Sequence, residues 1–387
     1  MSSVYSLGQF GAMIVDRVRM DAYIGALTAA ITPGAVVLDI GSGPGTTAML
    51  CVRLGAGHVY ALDPDPSIRL ARLAAERNGM GDQITVIEGI SQDFQPPAPV
   101  DVVVSDLRDR LPLNGFHIPS IVDARTRLLK PGGAQIPHRD TLYAAPVTYP
   151  DAYDRVVGPW RTDVYDLDMT DVIDRVVNRH EMYRAGPEHL AAPAQAWATI
   201  DYHTVTDPTV RGTVEWTIED RRTIHGLEMW FDAEVADGFS YSNAPDASNL
   251  VYGTEFFPFH RALDVEPGDT LKCVIGAHWL KGVYTWRWRT ELHRNGKKII
   301  GFDQSDLKGD LQDPRPVLLR QQPAHVPTLS PEARALHVVL AAFVEGATVA
   351  EATAALAAAG IPGHADEQAI DFVASASARY STAMPGD

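Results

Sequence analysis

The sequence is poor in cysteine, in positive charge and in long apolar runs, and each shortage excludes a class of protein. Only two of its 387 residues are cysteines, Cys51 and Cys273, which lie far apart in apolar segments; this excludes a disulfide scaffold and fits a reducing compartment. Lysine and arginine number 33 against 49 acidic residues, for a formal net charge of -16, so the chain lacks the basic surface that nucleic acid or an anionic membrane requires. No apolar run approaches membrane-spanning length.

Two further absences narrow the setting. The first thirty residues carry charges at Asp16, Arg17 and Arg19, so no signal peptide is predicted and a cytoplasmic location is expected. Neither cysteine pairs nor closely spaced histidine and acid clusters occur along the sequence, so no metal site is predicted.

The composition and the pattern of apolar residues change twice along the chain, so we predict three domains. Residues 1–145 alternate short apolar runs with helical patterns, which is typical of a Rossmann-like α/β domain with a doubly wound sheet. Residues 146–312 carry runs rich in Trp, Tyr, Thr and Val and predict an all-β domain, either a barrel or a sandwich. Residues 328–387 are rich in alanine and predict a small domain of three short helices, after a linker at 313–329. The predicted parallel strands are AVVLDI (35–40), HVYALD (58–63), QITVIEG (83–89) and VDVVVSD (100–106).

Local signals support the later domains. Asn295-Gly296 predicts a type I′ hairpin turn. The strand before this turn is expected to bury one face, by the two-residue period of a strand, formed by Trp286, Trp288, Thr290 and Leu292. In the helical domain, Ser330-Pro331 predicts a helix start, and Thr348 with Glu351 predicts a capping box.

A glycine-rich turn follows the first predicted strand, in VVLDIGSGPGTTAML. Gly41, Gly43 and Gly45 allow a ligand to approach the backbone at a helix N-terminus, although such turns also serve plain packing. Their spacing is G-x-G-x-G, whereas a dinucleotide site prefers G-x-G-x-x-G, and position 46 is Thr.

Polar residues at the ends of neighbouring strands strengthen this signal. Asp63 ends the second strand, where an acid accepts hydrogen bonds from ribose hydroxyls, and Asp39 precedes the glycine turn. Ser91 and Gln92 follow the third strand, where they would meet an adenine edge. Each acid alone is more often a helix cap or a solvated residue, but together they predict a nucleoside-type cofactor in one crevice at the carboxyl ends of the strands.

Four features together resemble the protein arginine methyltransferases, which are class I S-adenosylmethionine-dependent methyltransferases. They are YSLGQFGAMIVDRVRMDAY at the N-terminus, VLDIGSGPG with ALD, GPWRTDVYDLDM (158–169), and the order of a nucleotide-binding domain before a β-barrel. The resemblance covers residues 5–310. It implies S-adenosylmethionine as the cofactor and S-adenosylhomocysteine as its product. It also implies that Arg19 holds the methionine carboxylate and that Met13 packs by the reactive methyl, whereas an isolated arginine here would be an ordinary exposed helix residue.

The loop after the fourth strand departs from that family. The family ends this strand in Ser-Glu and places a second Glu nine residues later, and the two acids grip a guanidinium. Here the strand ends in Ser105-Asp106, and nine residues after Asp106 stands Gly115. Arg108 and Arg110 add positive charge to the loop. They would either clamp a carboxylate acceptor or form solvated local ion pairs of small energetic value.

A second departure lies in the barrel. The family carries a Thr-His-Trp loop there, and the comparable stretch is YGTEFFPFHRAL (252–263), where Phe256 and Phe257 take the place of the His-Trp pair. His260 is out of register. The arginine-specific chemistry is therefore in question, and Asp106 remains as the carboxylate that faces the acceptor.

Two segments bear on partners. The segment 170–192 would supply a helical arm for a homodimer of the kind the family forms. The alanine-rich tail weakly resembles winged helical modules that capture a leader peptide by strand addition, which would make the substrate a ribosomally made peptide. The tail would otherwise be a packing domain.

Three functions remain open from the sequence. The first is a methyltransferase that acts on a peptide or protein, at an amine or a carboxylate. The second is a methyltransferase for a small metabolite, and the third is a catalytically silent binding protein. An NAD-dependent oxidoreductase fits less well, because the glycine spacing and the N-terminal motif argue against it.

Overall fold

The chain folds as two compact units in this computed structural model, Met1–Gln312 and Asp313–Asp387. The structure describes residues 5–161, 165–247, 250–309, 329, 331–361 and 372–373. None of the helices within these ranges combines the length and the hydropathy needed to cross a bilayer.

A five-stranded parallel sheet forms the first part of the larger unit, as the alternation of strands and helices predicts. Its strands are β1 (Val36–Ile40), β2 (His58–Asp63), β3 (Ile84–Glu88), β4 (Val100–Ser105) and β5 (Leu129–Ile136). Their order is β3-β2-β1-β4-β5, so the chain winds outward from β1 in both directions, as in a doubly wound sheet. Val37 and Leu38 are fully buried in separate clusters on the two faces, which explains the continuous apolar runs.

Helices cover both faces of this sheet and its carboxyl edge. They are α1 (Leu7–Val15), α2 (Arg17–Ala30), α3 (Thr46–Arg53), α4 (Ile68–Arg77) and α5 (His117–Asp123), the last continued by a π-helical turn at Ala124–Leu128. Ser6 begins α1 with a capping box, and Asp16 separates α1 from α2 by accepting a hydrogen bond from the backbone N–H of Arg19 at 3.2 Å. This junction brings α1 over the glycine turn, where a Cβ added to Gly43 would lie 2.7 Å from the Phe10 ring.

The later strands of the larger unit form two antiparallel sheets, which confirms an all-β second domain. The strands are β6 (Arg139–Val147), β7 (Glu181–Tyr183), β8 (Gln195–Asp201), β9 (Val210–Thr217), β10 (Arg222–Ala236), β11 (Phe239–Ser242), β12 (Thr254–Val265), β13 (Thr270–Leu280), β14 (Val283–Arg294) and β15 (Lys297–Ser305). One sheet runs β7-β12-β10-β6-β8, with β11 paired to β10, and the other runs β15-β14-β13-β9. The change of sheet falls between β5 and β6, at the cis Ile136–Pro137 peptide, some residues before the expected boundary at 146.

The hairpin between β14 and β15 forms as its sequence predicts. Asn295 and Gly296 have positive φ angles of 51° and 72°, as a type I′ turn requires. The predicted buried face of β14 is confirmed, with Trp288 and Thr290 fully buried. Phe257 of β12 packs against Trp286 and Trp288 with ring centroids 5.2 Å apart in each case, so the two sheets share one aromatic core.

The segment 170–192 does not form one long helical arm. The short helix α7 (Ile173–Val176) follows a 3-10 turn at Thr170–Val172, β7 comes next and pairs with β12, and a second 3-10 turn lies at Pro187–His189. Two further short helices of this unit are α6 (Pro150–Val157) and α8 (Asp306–Gly309).

The smaller unit contains two described helices, α9 (Pro331–Val344) and α10 (Val349–Ala358). The Thr348–Glu351 capping box at the start of α10 is confirmed. The apolar side chains of this unit form a separate small core that includes Ala335, Val339, Ala352 and Leu356. The proposed cap Ser330, the linker up to residue 328 and most of the predicted third helix lie outside the described residues.

Candidate active site

A cavity of about 820 Å³ opens at the carboxyl ends of β1, β2 and β4. Its walls come from α1 and α2, from the loops after these strands, and from β12, β14 and α8 of the all-β part. This is the position where open α/β sheets bind ligands.

The glycine turn forms the floor of the cavity. Gly41, Gly43 and Gly45 all have positive φ angles, of 80°, 50° and 86°, which favour glycine over any residue with a Cβ. The backbone N–H of Gly43 donates to Oδ2 of Asp63 at 2.8 Å, and the N–H of Asp65 donates to Oδ1 of Asp63 at the same distance. Asp63 is thereby fixed at the tip of β2 and lines the cavity.

Asp39 lies beneath the turn and is buried. The hydroxyl of Ser42 donates to Asp39 Oδ2 at 2.6 Å. Burial raises the pKa of Asp39 to about 7, despite this hydrogen bond.

The two residues expected beside an adenine edge are in different environments. Ser91 lines the cavity, and its hydroxyl is buried with no hydrogen-bond partner among the described residues. Gln92 is exposed and does not line the cavity. The structure therefore places Asp39, Gly41, Asp63 and Ser91 along the cavity, and Gly43 joins them only through its hydrogen bond to Asp63. Gln92 lies outside.

Arg19 is not the exposed helix residue of the alternative interpretation, because it is only 8% exposed. Its guanidinium forms an ion pair with Asp106, and Nη2 donates to the backbone carbonyl of Met13 at 2.7 Å. Burial acts to lower the pKa of Arg19, but the Asp106 carboxylate outweighs it and raises that pKa. Nε of Arg19 is buried without a partner among the described residues, so one donor remains for an anion.

These residues fit S-adenosylmethionine. The carboxylate of Asp63 suits ribose hydroxyls, the unpartnered Ser91 hydroxyl suits the base, and the free Nε of Arg19 suits the methionine carboxylate. Met13 of α1 also lines the cavity.

Asp106 follows β4 and lines the cavity. The hydroxyl of Tyr252 donates to Asp106, with oxygen–oxygen distances of 3.0 and 2.9 Å to Oδ1 and Oδ2. Burial acts to raise the pKa of Asp106, but the charges of Arg19 and Arg108 and the Tyr252 hydrogen bond outweigh it, so the pKa lies below its ordinary value. Asp106 is therefore an ionised carboxylate at neutral pH.

Arg108 is not available as a clamp for a substrate carboxylate. Its side chain is fully buried, and Nε and Nη2 donate to the two oxygens of Asp140 in β6 at 2.8 and 2.7 Å. Nη1 donates to the hydroxyl of Tyr23 at 2.6 Å and to Asp106 at 3.3 Å. Neither sequence interpretation of Arg108, a clamp or a solvated loop residue, foresaw this pairing, because Asp140 lies 32 residues further along the chain.

The all-β part adds a buried carboxylate to the cavity, at a position that the sequence did not single out. Glu255 of β12 is 4% exposed at its side chain, accepts a hydrogen bond from Nε of Arg110, and lies 3.0 Å from Nδ1 of His180. Burial acts to raise the pKa of Glu255, but His180 and Arg110 outweigh it and lower that pKa. The signal was present in Thr254-Glu255-Phe256, one residue before the pair that was compared with His-Trp.

The other barrel residues considered in the sequence lie away from the cavity. Phe256 and Phe257 are fully buried in the packing of the sheets. His260 is half-exposed and pairs with Asp174 at 3.0 Å. Gly115 belongs to the loop after β4 rather than to the barrel. It lines the cavity, and its backbone carbonyl accepts a hydrogen bond from the Trp279 indole N–H at 2.8 Å.

A surface cluster unrelated to the cavity consists of His138, Glu234 and Asp237, with ligand atoms within 4.8 Å of one another. Arg139 holds both oxygens of Glu234, and the side chain of Asp237 is 95% exposed. Nothing further marks this group as a metal site.

Comparisons with known proteins agree with this geometry. A family model described as "Methyltransferase domain" matches residues 37–133, and one described as "Arginine methyltransferase oligomerization subdomain" matches residues 138–288. A probable protein arginine N-methyltransferase 6 of Arabidopsis thaliana is 30% identical over 233 residues, which cover 58% of this chain and 53% of that protein. An arginine N(omega)-methyltransferase of Streptomyces achromogenes subsp. streptozoticus is 29% identical and covers 68% of this chain and 74% of that protein. The chain thus spans about half the length of the plant relative.

Solved structures resemble the larger unit in fold. The crystal structure of Arabidopsis thaliana protein arginine methyltransferase 10 aligns with a TM-score of 0.67 at 22% identity, over 78% of this chain and 97% of that chain. A Trypanosoma brucei PRMT1 enzyme-prozyme complex with AdoHcy aligns with a TM-score of 0.70 at 18% identity, over 78% and 98%.

The sheet order, the glycine turn and the match of residues 37–133 to a methyltransferase domain give this part of the chain the fold of a class I S-adenosylmethionine-dependent methyltransferase. The antiparallel domain that follows, matched to the arginine methyltransferase subdomain, makes the architecture of this chain protein arginine methyltransferase-like. Asp106, after β4, and Glu255 of β12 both line the cavity of this chain.

Proposed function

We propose that this protein transfers the methyl group of S-adenosylmethionine to a nitrogen atom of a basic peptide or protein side chain. The observation that carries this proposal is Asp106, an ionised carboxylate that lines the cavity, together with the buried carboxylate of Glu255 in the same cavity. A carboxylate pair suits a protonated amine or a guanidinium.

When bound, S-adenosylmethionine supplies an electrophilic methyl group on a sulfonium and leaves as S-adenosylhomocysteine. Asp63, Ser91 and the glycine turn would hold its nucleoside, and Arg19 would bind its carboxylate through the free Nε. Asp106 would orient the acceptor nitrogen through hydrogen bonds, and Tyr252 and Arg108 would fix that carboxylate. Closure of α1 over the turn would exclude water from the reacting atoms.

The charge of the cavity also favours a cationic acceptor. Seven carboxylate side chains line it against four cationic ones. The carboxylates are Asp39, Asp63, Asp65, Asp106, Asp109, Glu255 and Asp306, and the cations are Arg19, Arg108, Arg110 and Lys281.

A carboxylate acceptor has less support. It would need a free cation beside Asp106, but Arg19, Arg108 and Arg110 each already pair with an acid. Nitrogen is therefore our choice of acceptor atom.

A small-molecule acceptor is the second candidate. The Streptomyces relative is named an arginine N(omega)-methyltransferase, so a free amino acid with a guanidinium is a reasonable acceptor for a cavity of this size. A chain that ends at residue 312 should keep full activity with such a substrate. It should lose activity toward a peptide if the smaller unit captures a leader segment.

We also propose that the chain forms a homodimer through the part that matches the oligomerization subdomain, residues 138–288. Light scattering on the purified protein would give a mass of about one chain if this is wrong.

The test of the function is methyl transfer from radiolabelled S-adenosylmethionine to free arginine, to arginine- and lysine-containing peptides, and to peptides encoded beside this gene. We expect a labelled product that is stable to base, as methylated nitrogen is. A base-labile product would mean a carboxylate acceptor. Cofactor binding without transfer to any acceptor would favour a silent binding protein.

A further inference from the structure

The acceptor side of the cavity contains a histidine–carboxylate pair to which the proposed function gives no role so far. His180 precedes β7, and its Nδ1 lies 3.0 Å from Oε2 of Glu255 in β12. Both side chains line the cavity, and the side chain of His180 is 26% exposed. The pair is therefore buried enough to be fixed and open enough to exchange a proton with solvent.

Aromatic packing fixes the plane of the His180 ring. The imidazole stacks on Phe257 with ring centroids 4.7 Å apart and an interplanar angle of 16°, and it meets Trp286 edge-on at 5.6 Å. The Glu255 carboxylate accepts the proton of Nδ1, so the neutral ring has its lone pair on Nε2. Nε2 forms no hydrogen bond within the part of the chain that the structure describes.

The charges around this ring come from three elements. Glu255 belongs to β12, Arg110 contacts Glu255 from the loop after β4, and Asp306 of α8 also lies close to His180. Asp306 accepts a hydrogen bond from the backbone N–H of Trp286 at 2.9 Å, and its Oδ1 is buried without a partner among the described residues. Two carboxylates and one guanidinium therefore surround the imidazole.

Asp106 is poorly suited to the removal of a proton. Its carboxylate accepts hydrogen bonds from Tyr252 and pairs with Arg19 and Arg108, all of which stabilise its ionised form. Such a group orients an acceptor well but is a weak base.

We propose that His180 is the general base of methyl transfer and that Glu255 is the residue that positions it. This inference rests on the proposed function. The acceptor nitrogen forms a bond to the methyl carbon while the carbon–sulfur bond breaks and its electron pair stays on sulfur. Nε2 of His180 takes the proton that the nitrogen loses, and the Glu255 carboxylate stabilises the imidazolium until the proton passes to solvent.

The test is the pH dependence of kcat/KM for the full-length protein, with radiolabelled S-adenosylmethionine and the best acceptor found above. In the wild type, kcat/KM should rise with pH as the base loses its proton. His180→Gln should lose this rising limb and lower kcat by roughly 10²-fold or more, the size expected for a general base. Its dissociation constant for S-adenosylhomocysteine should not change.

Two further measurements separate a base from a structural role. Added imidazole should restore activity to His180→Gly and show the lost pH dependence again. Glu255→Gln should keep the rising limb but move its midpoint to lower pH, because the imidazolium loses its anionic partner. The matched control is His260→Gln, because His260 is also paired with an acid but lies outside the cavity, and this variant should behave like the wild type.

The outcomes distinguish the two proposals. Turnover by the wild type with an unchanged pH profile in His180→Gln would overturn the base assignment and leave the proposed function standing. A wild-type profile without a rising limb would do the same, even if the variants did not fold. A wild type that binds cofactor but methylates no acceptor would overturn both.

Discussion

Removal of Arg108 should destabilise the larger unit more than removal of any surface arginine. Arg108 and Asp140 are both fully buried at their side chains and joined by two hydrogen bonds of 2.8 and 2.7 Å. Arg108→Met keeps most of the aliphatic volume but leaves the Asp140 carboxylate buried without its cation. A buried pair broken on one side loses about 3–5 kcal/mol, a large part of the roughly 5–15 kcal/mol that stabilises a typical domain.

The assay is urea unfolding followed by tryptophan fluorescence. All seven tryptophans lie between Trp160 and Trp288, so the signal reports on the larger unit alone. With slopes of about 3 kcal/mol per molar urea, the midpoint should fall by roughly 1–2 M. The control is Arg69→Met, because Arg69 forms a solvent-exposed pair with Glu88 whose loss should barely move the midpoint.

The double variant Arg108→Met/Asp140→Asn tests the cause. Asparagine removes the stranded charge and still offers an acceptor to the hydroxyl of Tyr202, which donates to Asp140. The double variant should therefore be more stable than Arg108→Met alone, and a double-mutant cycle should give a coupling of about 1–3 kcal/mol. A loss in Arg108→Met no larger than that in Arg69→Met would refute the reasoning.

Three further changes test other parts of the fold and the site. Gly45→Ala should lower the free energy of unfolding by about 1–3 kcal/mol, because Gly45 has a positive φ and an added Cβ would lie 2.6 Å from the Cβ of Ala71. The control is Gly34→Ala, because Gly34 has a similar φ but open space around it, and this variant should lose less stability in the same urea assay. Burial raises the pKa of Glu228 from 4.5 to about 8. Between these pH values the folded chain keeps a proton that the unfolded chain has lost, so the free energy of unfolding of the wild type falls as pH rises. Glu228→Gln should therefore gain stability relative to the wild type between pH 5 and 8, and equal pH slopes for the two proteins would contradict this. Arg19→Ala should weaken binding of S-adenosylhomocysteine by about tenfold or more in titration calorimetry, since a charge-assisted hydrogen bond is worth about 1.5–3 kcal/mol, and unchanged affinity would exclude Arg19 from the cofactor site.

Much of the fold follows from local patterns in the sequence. Continuous apolar runs predicted the parallel strands, because helices on both faces bury every residue of such a strand. The alternation in β14 predicted its buried face, and Asn295-Gly296 predicted the hairpin, since these properties depend only on residues next to one another in the chain. The segment 170–192 was harder, because pairing with β12 rather than local propensity makes residues 181–183 a strand.

Most residues at the predicted cofactor side of the cavity could also be identified from the sequence. The glycine turn, Asp63 and Ser91 each follow a predicted strand, and the carboxyl ends of parallel strands necessarily meet at one edge of the sheet. The prediction for Gln92 was wrong, because spacing alone does not give the direction of a side chain. Gln92 is one residue after Ser91 in the same loop, yet it lies outside the cavity.

The pairing of the charged residues in the rest of the cavity could not be predicted, because it depends on the tertiary structure. Arg108 meets Asp140 from a different sheet, Arg110 meets Glu255 across 145 residues, and His180 meets Glu255 across 75. The sequence shows that a residue is charged but does not show which residue it pairs with. The partner is the oppositely charged group that the fold brings within hydrogen-bond distance when both groups are desolvated. The sequence by itself therefore determined the Rossmann-like domain with its glycine turn, whereas the packing of β12 and β14 against the loop after β4 determined which acids and which histidine line the same cavity.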